Sequence, residues 1–121
     1  MPFDSLPQKS SLPAEVLTGW SLNQLAISRL RFARNQIAEG HWCQRTSDDG
    51  NGNRCAVGWA GSEELGTDVA DRAITYLEAA LPPSVKTVPY YNDTRTRKTV
   101  IRLFDRAIEL ADLCVQREEQ V

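Results

Sequence analysis

Two small sets of side chains in this chain have the types and spacing to do chemistry. The first lies in the stretch 41–58, H-W-C-Q-R-T-S-D-D-G-N-G-N-R-C-A-V-G, which holds the only histidine and two of the three cysteines. His41 and Cys43 are two residues apart, so on an extended backbone they share a face. A thiolate nucleophile needs such a base beside it. Cys43 and Cys55, facing each other across a turn, would also suit a disulfide or metal ligation. The remaining parts are missing. No third orienting residue or oxyanion hole is announced, so no residue is assigned as catalytic and the balance is against an enzyme. Structural zinc sites show paired C-x-x-C spacing, absent here. The D-D-G-N-G-N run has the composition of a calcium loop but lacks its terminal bidentate Glu. No nucleotide-binding glycine pattern occurs either. The expectation is no metal and no cofactor, with the cysteines as small buried hydrophobes.

The second set is Gln44, Asn92, Asp93 and Arg97, polar residues at the ends of elements. There donors and acceptors converge on a small ligand, and Arg97 near a helix N-terminus suits an anion. Together with Trp42, Cys43 and Cys55 they make a candidate ligand site. The competing reading is structural: Asn92 and Asp93 cap a helix, and Gln44 bonds backbone.

The elements that must position these residues are mainly helical. Pro2, Pro7 and Pro13 break up residues 1–20, which read as a flexible arm ahead of a single helical domain over 21–121. Ser21 with Gln24 forms a capping box. Leu22, Ala26, Leu30, Ala33 and Ile37 then make one stripe, predicting a helix over 21–39 with Arg29, Arg31 and Arg34 on a solvated face. The stretch 41–58 reads as a short β-hairpin around a turn-rich loop, anchored by Trp42, Val57 and Trp59. After a helical turn between Gly58 and Gly66, a second helix starts at Thr67 or Asp68 and stops at Pro82-Pro83. The connector P-P-S-V-K-T-V-P-Y-Y is expected to be extended. The third helix, 94–118, carries apolar residues on several sides, which marks a central element.

W-C-Q, R-C-A-V-G and N-D before a helix containing L-F-D-R-A-I together resemble a bacterial and phage-associated domain of unknown function. Its motifs are W-C-Q, C-A-x-G and N-D-x-x-x-R, and the likeness spans residues 22–115. It implies motif positions at Trp42, Cys43, Gln44, Cys55, Ala56, Gly58, Asn92, Asp93 and Arg97. Trp59 stands where that family has a small residue. The resemblance brings no activity with it.

At 121 residues with 41% hydrophobic and 25% charged side chains, the chain is long enough for a core without staples. Its net charge of -2 disfavours nucleic acid as the main partner. No apolar run has the length of a membrane span, and the first residues lack a signal-peptide pattern, which predicts a cytoplasmic protein. On the last helix Arg102 and Arg106 sit in the N-terminal half and Glu109 and Asp112 in the C-terminal half, opposite to what the helix dipole favours. In-fold carboxylates, an anion or an antiparallel second copy would compensate them. The functional reading is a non-enzymatic interaction or regulatory module, with a protein partner or a homodimer through that helix. The alternative is a small-molecule or anion-binding protein using the W-C-Q and N-D motifs.

Overall fold

A computed structural model describes residues 20–119 of the chain. The expected flexible arm lies outside these residues except for Trp20. Among the described residues there are five α-helices: α1 Leu22–Ala38, α2 Ala56–Ala60, α3 Thr67–Ala80, α4 Val88–Thr94 and α5 Arg97–Glu119. A 3-10 turn, Glu63–Leu65, sits between α2 and α3.

Helix α1 starts where the sequence places it. The Ser21 hydroxyl accepts from the Gln24 N–H, and the Gln24 side chain accepts from the Ser21 N–H. Its stripe of Ala26, Leu30, Ala33 and Ile37 is fully buried. Helix α1 packs most extensively on α5, then on α3, and also touches α2. Phe104, Ile27, Leu77 and Val100 fill the space between these helices. Two ion pairs lace α1 to α5: Arg34 to Asp105 at 2.9 Å and Arg31 to Asp112 at 3.9 Å. The Arg106 guanidinium donates to the Ala80 carbonyl at 3.2 Å, at the C-terminus of α3. There a cation satisfies an orphan acceptor and the dipole together. Part of the inverted charge pattern on α5 is thus compensated inside the fold.

Three expectations are corrected. The β-hairpin is not formed. Among the described residues there is no strand, only two isolated bridges, Trp42 with Arg54 in parallel sense and Asp48 with Arg54 in antiparallel sense. The loop's polar groups are consumed locally: Asp48 Oδ1 accepts from Gly50 N, and Asp49 Oδ1 from Asn51 N and Asn53 N. Such Asx turns compete with a ladder. Cys55 then turns directly into a helix. The connector after Pro83 is not wholly extended, because Thr87 accepts from Tyr90 N and Pro89 sits in the first turn of α4. Finally, Asn92 and Asp93 lie inside α4 and do not cap α5. Thr96 does, accepting from Thr99 N at 3.3 Å, and α5 begins at Arg97.

Candidate functional site

The 42–56 segment has no ladder of its own, only a few backbone bonds, and one buried side chain fastens both of its ends to α4. Asn92, 1% exposed, spends both ends of its amide on it. Its Oδ1 accepts from Trp42 Nε1 at 2.7 Å and from the Ala56 N–H at 3.0 Å. Its Nδ2 donates to the Cys43 carbonyl and to Asp93 Oδ1, both at 3.1 Å. Ala56 is the first residue of α2, so Asn92 satisfies one of that helix's orphan donors. The Cys55 sulfur accepts a second, from Gly58 N, at 3.4 Å.

Gln44 works from the other side. Its Nε2 donates to the carbonyls of Asn92, Asp93 and Arg95 at 3.1–3.3 Å, closing the C-terminal end of α4. Asp93 Oδ1 also accepts from the Arg45 N–H at 2.8 Å. This bond holds Arg45 at φ 68°, a left-handed conformation rare outside glycine. The structure therefore brings Trp42, Cys43, Gln44, Asn92 and Asp93 together as one hydrogen-bonded node, with Cys55 next to it as the N-cap of α2. Arg97 is exposed and stands apart at the start of α5, its guanidinium close to Gly40.

Trp59, on α2, meets Phe32 edge-on with ring centroids 5.9 Å apart. Its indole N–H donates to the His41 carbonyl at 2.6 Å. Trp59 is thereby seated against Phe32 of α1. His41 and Cys43 do not act as a pair. The imidazole lies 4.0 Å from Glu39, while the Cys43 thiol donates to the Thr46 carbonyl at 3.4 Å. All three cysteines are free thiols. No group of three or more metal-ligating side chains occurs among the described residues.

Burial, followed by the carboxylates of Asp49 and Asp48 and by Cys55, pushes the Cys43 thiol above its ordinary range. A raised pKa leaves less thiolate at any given pH. Iodoacetamide at neutral pH is therefore expected to alkylate Cys43 more slowly than an unstructured cysteine, with the rate climbing only in more alkaline solution. Mass spectrometry of the time course reads this, and alkylation at the free-thiol rate would refute it.

Beside the node is a shallow cleft of about 260 Å³, bordered by Arg45, Thr46, Ser47, Cys55, Val57 and Asp93. Sequence reasoning missed two further polar clusters. In one, Asn23 Oδ1 accepts from Tyr76 Oη and Arg72 Nη1, while its Nδ2 donates to Glu118. Burial and then Cys114 push the Tyr76 hydroxyl up to about 12. The other surrounds Arg29, which is 2% exposed, not solvated, and pairs with Glu64 at 3.3 Å. Neither has a spacing signature, because the partners sit far apart in the chain.

Residues 23–110 match the model of a family of unknown function, DUF6197. No curated protein and no solved structure matches the chain.

Proposed function

The chain belongs to DUF6197, whose function is unknown, and from the geometry we propose that it is a non-enzymatic interaction module that self-associates through α5. The observation that carries this reading is an exposed seam. Arg102, Arg106, Glu109, Leu113 and Gln116 follow one another at alternating spacings of four and three and are all exposed. That spacing aligns residues along one face for a partner helix. Leu113, 54% exposed, is the apolar point on the seam, and a shallow groove runs beside it between Glu109, Asp112 and Gln116. Among the described residues Arg102 and Glu109 make no ion pair. In an antiparallel copy Arg102 of one chain meets Glu109 of the other.

The test is a charge swap followed by sedimentation velocity. Arg102→Glu and Glu109→Arg are each expected to weaken the dimer by on the order of tenfold, since each turns attraction into repulsion at two symmetry-related places. The double variant restores it. Equal association of all four proteins, or a monomer throughout, removes the proposal.

A second reading is favoured by the cleft beside Cys55, where Arg45 is held in a strained conformation next to open space. On that reading Trp42, Cys43, Gln44, Cys55, Asn92 and Asp93 frame a small-molecule or anion site that Arg45 lines and from which Arg97 stands apart. A monomer carrying an extra mass in the native mass spectrum would move this reading ahead of the first.

A further inference from the structure

We propose that Arg29 anchors an oxyanion-binding site beneath the Glu63–Leu65 turn, taking a carboxylate or phosphate group on the unused edge of its guanidinium. Arg29 is 2% exposed. Its Nη1 donates to Glu64 Oε1 at 3.3 Å, but among the described residues its buried Nε and Nη2 have no hydrogen-bond partner. Those two nitrogens form the side-on edge of the guanidinium, two parallel N–H groups at the spacing of a carboxylate's or phosphate's oxygens. A buried donor left unpaired is costly, and a buried cation more so. The edge therefore has a strong preference for an acceptor with negative charge.

The surroundings agree. The guanidinium carbon lies 4.5 Å from the Phe32 ring centroid. Trp59 packs on Phe32, and Arg54 stands 4.9 Å over Trp59, so a second cation adjoins the site. Asp48 pairs with Arg54 at 3.5 Å, and among the described residues Glu64 is the one carboxylate paired with Arg29. Glu64 is an incomplete counterion: it is 39% exposed and reaches a single nitrogen. Desolvation holds the Arg29 pKa below its ordinary value, Glu64 notwithstanding, and Arg54 adds to the same side.

Access is through the turn that carries Glu64. No residue of Glu63–Leu65 is buried, and the turn lies between Gly61 and Gly66, the latter at φ 105°. Such a segment has few buried contacts to lose on shifting.

The experiment follows the Arg29 Nε–H resonance of the full chain by ¹H–¹⁵N NMR. Sodium phosphate and sodium acetate are titrated separately against sodium chloride at matched ionic strength. The resonance is expected to move saturably with phosphate, acetate or both, and not with chloride. Phosphate alone identifies a phosphate ligand, and acetate alone a carboxylate. Arg29→Lys keeps the charge but loses the fork, and is expected to weaken the anion's effect on the thermal midpoint by roughly tenfold. Glu64→Gln keeps the fork and removes the competing carboxylate, so it is expected to strengthen that effect. A response equal to that of chloride overturns the proposal, as does one unchanged in Arg29→Lys. Should Arg29→Lys not fold, an unchanged response in Glu64→Gln overturns it instead.

Discussion

Asn92→Ala is expected to lower the unfolding free energy by about 3 kcal/mol or more, among the largest losses any single side chain here would cause. The substitution strands the Trp42 indole N–H, the Ala56 N–H and the Cys43 carbonyl at once. Each stranded group costs roughly 1–3 kcal/mol when water cannot replace the partner. Trp42 is only half-buried, so water offsets part of its share. Asn92→Asp is expected to lose about as much at neutral pH. It retains the acceptor but turns an oxygen toward the Cys43 carbonyl and Asp93 Oδ1 where a donor stood. Urea unfolding reads both variants. A loss below about 1 kcal/mol, the worth of one ordinary hydrogen bond, would mean that the node does not organise the 42–56 segment.

Gly58→Ala is the second large effect, and its sign reverses the usual one. Gly58 lies within α2, and replacing a helical glycine by alanine ordinarily stabilises by about 0.5–1 kcal/mol. Here a Cβ would stand 2.4 Å from the Ser47 carbonyl oxygen and 3.0 Å from Arg54 Cβ. The nearer atom is backbone, in a loop fixed by the Cys55 N–H donating to that same Ser47 carbonyl at 3.2 Å. Relief requires the loop to move, and a net destabilisation of about 2–3 kcal/mol is expected. Gly50 is the control. It has open space around it and φ 79°, so Gly50→Ala tests conformational strain without a clash and costs about 1–2 kcal/mol. Thermal unfolding of the two variants side by side separates the causes. A Gly58→Ala protein more stable than the parent would show that the loop yields freely.

What was legible in the sequence was what nearby residues decide. The Ser21–Gln24 box, the α1 stripe and the double proline after α3 carry their signals within a few positions. Thr87 and Pro89 carried one too, a cap followed by proline at a helix start, but the flanking prolines suggested extension. The failed hairpin has another cause. A run rich in Asp, Asn and Gly is compatible with a tight turn and with a loop that bonds only to itself, and the choice depends on what lies opposite. Here that is Asn92, whose partners are 36–50 positions away. The W-C-Q and N-D residues are hydrogen-bonded to one another while Arg97 is not among them, and nothing in their spacing reveals that each satisfies the other's backbone. Arg29 was invisible for the same reason. A helical arginine is solvated by default, and only the packed positions of Phe32 and Glu64 reverse that.

Fastening two extended segments with a side-chain amide instead of a ladder has one more consequence. A sheet, however small, presents rims where backbone donors and acceptors await another chain, and many proteins recruit partners by adding a strand there. Among the described residues this protein offers no such rim. Three backbone groups of the 42–56 segment bond to side chains of α4, and the loop between them bonds mainly to itself. Over the described residues, strand addition has no edge to use, and docking there falls to side chains on a helical surface.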